Sequence, residues 1–517
     1  MSSSAVHEPC VLAIDQGTSA TKCLLVSSRG TVLRKAAAPL DSRFPQPGWV
    51  EQDAEQIWQS VAQAARSCAE GLPPGSIVAV GLSTQRESAM LWDRNTGAPL
   101  SPLLGWQDQR TIPLARQLLA AGHGDLVRAR SGLPLDPMFS ALKASWLLTW
   151  YRDTYRHDPD DRVAFGTVDS FLLARLGVSP ATEMHAIEAG NASRTQLMDT
   201  RQRCWDPDLL EIFGVPALLL PQITISGRIF GEVTTIAELA GCPVSGVLGD
   251  SHAALYAHGP SVPGVVKATY GTGTSVMSLV MADRPVDAQS IDPGIGLTLA
   301  WETDQPAYAL EGNIRSTGAT LAWLSRATEV PVARLAELAN AVENPGIHIV
   351  PAFTGLGAPW WDTAVRGHIS GLTFDTDLAR LARAALESTA YQVADVVDAM
   401  VRSGVTVSEL VVDGGASAND VLMQFQADLC GVPVVRPPSV ESSALGAAQL
   451  AAVVAGLPWQ AASAHETADR FQPRLSGGSR ADLMSRWHEA VAAAVGSARE
   501  RRGGLQVGNE DIDPFAE

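Results

Sequence analysis

A short turn rich in glycine and small hydroxyl residues occurs once in each half of this chain. The first copy, residues 15–19, lies between apolar segments in VLAIDQGTSATKCLLV. The second, residues 271–275, interrupts the apolar segments of GVVKATYGTGTSVMSLV in the same way. Apolar runs joined by a glycine turn predict a β-hairpin at each place. The chain is therefore expected to contain the same hairpin plan twice.

Both turns have the composition of a phosphate-binding loop. Their glycines, Gly17 and Gly271, let backbone N–H groups approach an anion closely. Hydroxyl donors without bulk are supplied by Thr18, Ser19 and Thr272. A single turn of this kind more often only joins two strands. Two of them, the first of which begins with an acid at Asp15 that is suited to a metal ion, predict phosphoryl transfer. The GxxxxGK[ST] pattern of a P-loop is missing.

Composition limits the classes of function. A chain of 517 residues is expected to form two large domains. The net charge of −17 argues against a nucleic-acid surface, which needs a basic stripe. No signal peptide and no apolar segment of membrane-spanning length is found, so no membrane partner is expected. The six cysteines form no CxxC pair, which indicates reduced thiols in a cytoplasmic protein.

Strand-like and helix-like segments alternate along most of the chain, which predicts α/β domains around mixed sheets. The proline- and glycine-rich segment HGPSVPGVV is the expected boundary between them. The predicted organisation is a flexible N-terminus at 1–8, an N-terminal domain at 9–258, a C-terminal domain at 263–497 and a mobile tail at 498–517.

A series of motifs then appears in a fixed order: AIDQGTS, PGWVEQDAEQIW, STQRES, GWQDQR, DPMFSALK, FGTVDSFLL, NASRTQLMD, GVLGDSHAAL, TYGTGTS, YALEG, VPAFTGLGAPWWD, VDGGASAND and ESSALGAAQLA. With these motifs the chain resembles the FGGY carbohydrate kinases of the actin-like ATPase superfamily, and among them the glycerol kinases. The resemblance implies two actin-like (ribonuclease H-like) α/β domains with ATP and substrate in the cleft between them. The N-terminal domain would bind substrate and phosphate, and the C-terminal domain the nucleotide.

The resemblance also implies roles for single residues in Mg²⁺-dependent transfer from ATP. Asp250, which follows an apolar strand and opens a helix, would be the general base, although by itself an acid there reads as a helix cap. Asp15 and Asp250 would lie at the metal. Lys22 stands where the glycerol kinases carry Arg, and a surface lysine is an equally open interpretation. The residues expected at ATP are Gly17, Thr18, Ser19, Lys22, Gly271, Thr272, Gly318, Gly415 and Asn419.

The substrate pocket departs from the family pattern. Arg86 and Glu87 match the pair that grips glycerol hydroxyls, and Trp106 matches the apolar wall. Asp250 is also counted among the substrate-binding residues. Three further pocket positions carry smaller or less polar residues than the family pattern: Met138 replaces Tyr, Ser251 replaces Gln and Ser275 replaces Phe. Lost hydroxyl contacts and lost aromatic bulk predict a wider pocket, for a polyol or ketose of about four or five carbons. Glycerol, bound weakly, stays open.

Other functions are compatible with parts of the pattern. A ketopentose kinase is the first alternative, although such kinases usually lack the Arg-Glu pair. An ATP-driven switch of the actin or chaperone kind is the second, and a catalytically silent sensor the third. The expected partner is a small polyol or sugar, with no nucleic acid and no membrane, and the resemblance allows a homodimer.

Overall fold

The computed structural model describes residues 8–177, 185–258, 264–280, 287–343, 345–438, 441–459 and 468–507. The chain divides into two units that are each formed by separate stretches of sequence. We call them the N-terminal unit (Met1–Pro263, Ser278–Leu310 and Glu441–Thr467) and the C-terminal unit (Gly264–Met277, Glu311–Val440 and Ala468–Glu517).

The strands alternate with helices through both units. The strands are β1 Cys10–Gln16, β2 Ala20–Ser27, β3 Val32–Pro39, β4 Glu51–Gln52, β5 Ile77–Thr84, β6 Ala89–Asp93, β7 Leu103–Leu104, β8 Val163–Thr167, β9 Ala186–Glu188, β10 Met198–Asp199, β11 Cys204–Trp205, β12 Gln222–Thr224, β13 Gly231–Glu232, β14 Pro243–Gly249, β15 Val265–Tyr270, β16 Thr274–Leu279, β17 Gly296–Glu302, β18 Pro306–Ile314, β19 His348–Val350, β20 His368–Ser370, β21 Glu409–Asp413, β22 Val434–Arg436 and β23 Asp469–Phe471.

The α-helices are α1 Ala54–Ala69, α2 Ile112–Ala120, α3 Gly124–Ser131, α4 Ser140–Tyr155, α5 Val168–Arg175, α6 Ala189–Ser193, α7 Pro207–Phe213, α8 Asp250–Ala257, α9 Gly318–Thr328, α10 Val332–Asn340, α11 Leu378–Arg402, α12 Asp420–Cys430, α13 Ser442–Val454 and α14 Gly477–Val507. This alternation confirms the predicted α/β class.

The N-terminal unit is organised around a six-stranded mixed sheet with the order β13-β14-β5-β1-β2-β3. Strands β1, β2 and β3 form an antiparallel meander, and β5 and β14 continue the sheet in parallel with β1. The first glycine turn joins β1 to β2, as predicted. The carboxyl ends of β1, β5 and β14 therefore lie at one edge of the sheet, which is where binding residues are expected in an α/β fold.

The C-terminal unit repeats this plan. Strands β15 and β16 are neighbours joined by the second glycine turn, and the sheet continues through β21, β22 and β23. Strand β21 is parallel to both β15 and β22. The predicted second hairpin is confirmed, and each unit places a hairpin beside parallel strands.

Local sequence explains where key helices begin and end. The side chain of Asp53 accepts hydrogen bonds from the first amides of α1, and Gly71, with φ of 69°, follows its end. Asn419 caps α12 by accepting from the Leu422 amide at 2.9 Å. Helix α8 starts at Asp250, directly after β14, as the sequence predicted.

Helix α13 comes late in the chain but packs inside the N-terminal unit, against β5 and α8. A Cβ atom on Gly81 would lie 2.3 Å from the Ala447 carbonyl oxygen. A Cβ atom on Gly446 would lie 1.8 Å from the Ala253 carbonyl oxygen. Glycine at these two places lets the helix approach the sheet and α8 closely.

The limits proposed for the domains stay predictions. Residues 259–263, which hold most of the expected boundary, and residues 1–7 and 508–517 lie outside the described part of the chain. Helix α14 continues to Val507, so it extends into the segment expected as a mobile tail. Among the helices described, none is long and apolar enough to cross a membrane.

Candidate active site

Asp250 and Arg86 contact each other at the carboxyl edge of the N-terminal sheet. The Arg86 Nε atom donates to Asp250 Oδ1 at 3.2 Å. The Asp250 side chain is 36% exposed, whereas that of Arg86 is 4% exposed. Asp250 Oδ1 also accepts from the Ser251 amide at 2.6 Å. The acid is thus anchored at the start of α8 while part of the carboxyl group faces solvent.

Glu87 is held in an unusual backbone conformation, with φ of 62°. Its side chain accepts from Arg194 Nε at 2.6 Å, and its carbonyl oxygen accepts from the Ser140 hydroxyl at 3.0 Å. A non-glycine residue in the left-handed region costs free energy and is often found at functional sites. Buried partners on two other elements therefore fix the acid that follows Arg86.

Arg194 belongs to the short segment after β9. Glu188 caps α6 by accepting from the Gly190 and Asn191 amides, each at 2.7 Å. The Arg194 side chain is 1% exposed, and its guanidinium lies over the Phe139 ring, 5.0 Å from the ring centre. This arrangement directs a rigid cation at Glu87.

Lys143, on α4, holds the loop that carries Met138. Lys143 Nζ donates to the carbonyl oxygens of Pro137, at 3.1 Å, and Met138. Burial lowers the pKa of Lys143 to about 8, and the charges of Asp108 and Glu87 act against that shift.

Met138 itself is buried. Among described residues the Ser251 hydroxyl has no hydrogen-bond partner, so neither departure from the family restores the lost contacts.

The first glycine turn lies at the end of β1 in the same unit. Among the residues the structure covers, the amides of Thr18 and Ser19 donate to no protein acceptor, which leaves them suited to an anion. The Gly17 amide instead closes the turn on the Ala20 carbonyl at 3.1 Å. Trp106 Nε1 donates to the Thr18 hydroxyl at 3.1 Å. The tryptophan expected as an apolar wall therefore also contacts the turn.

Asp15 is coupled to the charges around it. Its Oδ1 atom accepts from the Ser83 hydroxyl at 2.8 Å. Burial raises the pKa of Asp15 to about 7, and the nearby Asp250 charge also raises it, while Lys22 lowers it. Lys22 Nζ in turn lies 2.8 Å from Glu441 Oε2. The charges of Asp250 and Lys22 thus both act on Asp15 within the N-terminal unit.

The expected nucleotide residues of the C-terminal unit are brought together in part. The Gly318 amide donates to the Gly271 carbonyl at 3.1 Å, and the Ala319 amide donates to the Thr272 carbonyl at 3.1 Å. A Cβ atom on Gly318 would lie 2.6 Å from the Gly271 oxygen. Gly318 therefore supports the second turn, and the first amides of α9 are already used by protein acceptors.

Gly415 and Asn419 lie on the segment that follows β21. The preceding Gly414, with φ of 86°, packs so closely that a Cβ atom would lie 2.4 Å from the Tyr270 oxygen. At Gly415, which is exposed, the same added atom meets nothing within 4 Å, so the space beside this backbone is open. Both ends of the Asn419 amide are engaged, with the Leu422 amide and with Asn340.

Ser275 lies in the C-terminal unit, in strand β16. Its hydroxyl donates to Glu311 Oε1 at 2.9 Å, and Glu311 also accepts from Asn313 at 2.9 Å. The serine thus belongs to a polar cluster of its own unit, whereas Met138 and Ser251 belong to the N-terminal unit.

Four residues that contact the predicted site carry no role predicted from sequence. They lie inside the quoted motifs STQRES, NASRT, GDSHAAL and ESSALG, and they are Ser83, Arg194, His252 and Glu441. Their positions in those motifs were the available signal. Their contacts join residues that are far apart in the chain, and no local pattern reports such contacts.

Comparison with known proteins agrees with this architecture. The N-terminal domain model of the FGGY family of carbohydrate kinases matches residues 10–257, and its C-terminal domain model matches residues 266–455. Over 501 residues the chain is 43% identical to a glycerol kinase of Alkalilimnicola ehrlichii, covering 95% of this chain and 99% of the relative. It is 41% identical to an apulose kinase of Pectobacterium atrosepticum over 499 residues, with 95% and 99% covered.

A solved structure shows the same fold. The crystal structure of Plasmodium falciparum glycerol kinase with ADP superposes with a TM-score of 0.81 at 26% identity, covering 94% of this chain and 98% of that one. The two-domain actin-like α/β fold is therefore confirmed, and the residues around Asp250 lie within the matched region.

Proposed function

Because this chain belongs to the FGGY family of carbohydrate kinases and uses ATP to phosphorylate a small polyol or sugar, we propose that Asp250 activates the acceptor hydroxyl of a substrate larger than glycerol. The contact between Asp250 and the buried Arg86 carries this proposal. It places a carboxylate beside a donor that is suited to substrate hydroxyls.

The reaction follows from these side chains. Arg86 donates to substrate hydroxyls and Glu87 accepts from them, which orients the substrate next to Asp250. The acceptor hydroxyl gives its proton to Asp250 while its oxygen forms a bond to the γ-phosphorus of ATP. The bond from that phosphorus to the β,γ-bridging oxygen breaks, and ADP leaves with the electron pair. Trp106 shields the carbon chain from water.

The donor set at Asp15 and Asp250 fits Mg²⁺. No group of three or more metal-binding side chains occurs in the described chain, and Mg²⁺ commonly takes one or two carboxylates plus phosphates and water. Asp15 and Asp250 supply hard oxygen donors, and the Asp250 charge is close enough to raise the pKa of Asp15. The ion would neutralise phosphate charge when bound with ATP.

For ATP itself, we assign the free amides of Thr18 and Ser19, together with Gly17 and Lys22, to phosphate. In the C-terminal unit the assigned residues are Gly271, Thr272, Gly318, Gly415 and Asn419. The open space at Gly415 and the close packing of Gly318 on the second turn support this assignment.

The substrate follows from what the pocket lacks. Neither Met138 nor Ser251 offers the long polar reach that the glycerol kinase pattern has at those positions. The Ser251 hydroxyl, at the start of α8 and without a partner among described residues, is suited to an additional substrate hydroxyl. A polyol or ketose of about four or five carbons would supply that hydroxyl and fill the extra volume.

One relative favours a ketose in particular. The apulose kinase is 41% identical to this chain, against 43% for the glycerol kinase, so overall identity does not separate the two substrates. The residues of the pocket must do so. A ketopentose is therefore the second candidate acceptor.

A coupled ADP-release assay tests the substrate. The panel is glycerol, tetritols, pentitols, ketopentoses and apulose, each with Mg-ATP. We expect a four- or five-carbon substrate to exceed glycerol in kcat/KM by about ten-fold or more. The Met138→Tyr/Ser251→Gln variant should reverse that order. Ser275→Phe is measured separately, since this residue lies in the other unit.

Two controls separate the outcomes. Mass spectrometry of the phosphorylated product excludes ATP hydrolysis alone, which would instead favour an ATP-driven switch. If glycerol gives the highest kcat/KM with the unmodified protein, the pocket departures do not set specificity and the chain acts on glycerol. If the double variant leaves the order unchanged, Met138 and Ser251 are not the cause of the preference.

A further inference from the structure

We propose that His252 is a positioning residue that fixes the Arg86 guanidinium for substrate recognition. This inference rests on the proposed role of Arg86 in gripping the substrate. His252 does not itself touch the reacting atoms in this assignment. It acts through the arginine, from the same first turn of α8 that carries Asp250.

The geometry places two acceptors on one guanidinium. Arg86 Nε donates to Asp250 Oδ1 at 3.2 Å, and Arg86 Nη1 lies 3.3 Å from His252 Nε2. Asp250 and His252 are two residues apart on α8. One turn of helix therefore holds two different nitrogens of the same planar group, and this defines its orientation.

The direction of the second hydrogen bond follows from chemistry. A guanidinium has five N–H donors and no acceptor. His252 Nε2 must therefore accept, so in this contact the ring carries its hydrogen on Nδ1 and is uncharged. An uncharged ring also suits the N-terminal turn of a helix, where a cation is disfavoured.

Packing holds both side chains in place. His252 is fully buried and Arg86 is 4% exposed. A Cβ atom on Gly249 would lie 2.5 Å from Arg86 Cδ, so glycine there makes room for the arginine stem. A Cβ atom on Gly190 would lie 2.9 Å from His252 Nδ1, so glycine there makes room for the ring. Both side chains are therefore buried and closely packed against neighbouring backbone.

Asp250 and His252 therefore have different roles, although both lie on α8. Asp250 is exposed enough to meet the acceptor hydroxyl, whereas His252 is buried behind Arg86. Removing the His252 acceptor frees one end of the guanidinium and weakens its grip on substrate hydroxyls. The binding of ATP should be unaffected, because the hydrogen bond of His252 is to Arg86, which is assigned to the sugar and not to ATP.

Four variants test this role with the best substrate of the panel. His252→Leu removes the acceptor at similar size, and we expect KM for the sugar to rise about ten-fold or more, as for loss of a hydrogen bond to a charged group. KM for ATP should stay within about two-fold. His252→Gln restores an acceptor near Nε2 and should recover most of the sugar KM, whereas His252→Asn is too short and should not.

His185→Leu is the matched control. His185 is also a buried histidine of the N-terminal unit, packed edge-on against Trp92 with 5.1 Å between the ring centres, and no role at the predicted site is assigned to it. We expect no change in sugar KM for this variant. Thermal unfolding of every variant identifies a general loss of structure.

Calorimetric titration of the sugar without ATP repeats the comparison independently of phosphoryl transfer. A protein that binds sugar but transfers no phosphate would contradict the proposed function, and the Kd ratios would still decide the role of His252. The inference is wrong if His252→Leu changes sugar affinity by less than about two-fold. It is also wrong if Gln and Asn behave alike. If the Leu variant does not fold, the comparison of Gln with Asn gives the answer.

Discussion

Lys22 Nζ donates to Glu441 Oε2 at 2.8 Å, although 419 positions separate the two residues in the chain. Strand β2 carries the lysine, and Glu441 directly precedes α13. The Lys22 side chain is 43% exposed, and its charge lowers the pKa of Asp15. The lysine is therefore neither a simple surface residue nor a buried one. Its ammonium group is held by Glu441 beside the first glycine turn.

Replacing this cation should affect ATP more than stability. For Lys22→Met we expect KM for ATP to rise about three- to ten-fold, while sugar KM stays constant. The free energy of unfolding should fall by less than about 1 kcal/mol, because exposed ion pairs contribute little. Steady-state kinetics and urea unfolding measure both. Lys35→Met, an exposed lysine on β3, is the control, and an equal effect there would contradict a specific role for Lys22.

Asp250→Asn should remove catalysis without unfolding the protein. The amide oxygen of Asn still accepts from Arg86 and from the Ser251 amide, but Asn does not take a proton from the substrate. We expect kcat to fall about 10²- to 10⁴-fold, the usual contribution of a general base, with little change in sugar Kd.

Asp208→Asn is the control for that substitution, since Asp208 is likewise an acid in the first turn of a helix of the N-terminal unit. It should keep full activity. A normal kcat for the Asp250→Asn protein would show that another group takes the proton.

The contact between α13 and α8 should be intolerant of added volume. For Gly446→Ala the new Cβ atom would lie 1.8 Å from the Ala253 carbonyl oxygen, and backbone atoms cannot move away as a flexible side chain does. We expect a loss of about 1–3 kcal/mol or more in the free energy of unfolding. Gly496→Ala, in α14 with nothing within 4 Å, should instead gain up to about 1 kcal/mol. Urea unfolding of both proteins checks the difference in sign.

The C-terminal helix should be sensitive to pH through His488. Its Nε2 atom lies 2.7 Å from Asp395 Oδ1, and that hydrogen bond raises the pKa of His488, while burial lowers it. Because the folded pKa lies above the unfolded value, the stabilisation is fully present below about pH 6.5 and is lost as the pH rises through the folded pKa.

Unfolding at pH 5.5, 7.0 and 8.5 tests this, followed by the fluorescence of Trp487, which donates to the same aspartate at 2.7 Å. We expect a decline of less than about 1 kcal/mol, since His488 is half-exposed. The decline should be smaller by that amount in His488→Gln and unchanged in the exposed-site variant His157→Gln, because buried acids with raised pKa values, such as Asp15, lower the stability with rising pH in every variant. A stability that increases with pH at this site would contradict the assigned sign.

Local pattern was enough to predict the individual elements. The two glycine hairpins, the strand that ends at Gly249 and the helix that opens at Asp250 all formed as expected, because turn residues and apolar periodicity act over a few neighbouring positions. The motifs Arg86-Glu87 and Asp250 were also visible in sequence, and the structure brings Arg86 and Asp250 into contact.

Only the tertiary structure decided which distant residues complete the site. The sequence by itself determined the α/β class, the repeated hairpin and the motifs of a carbohydrate kinase, since these depend on local propensity and on short fixed spacings. Arg194 at Glu87, His252 at Arg86 and Glu441 at Lys22 depend instead on how α6, α8 and α13 pack around one sheet. Such contacts follow from close packing of elements that are remote in the chain, and no local spacing encodes them.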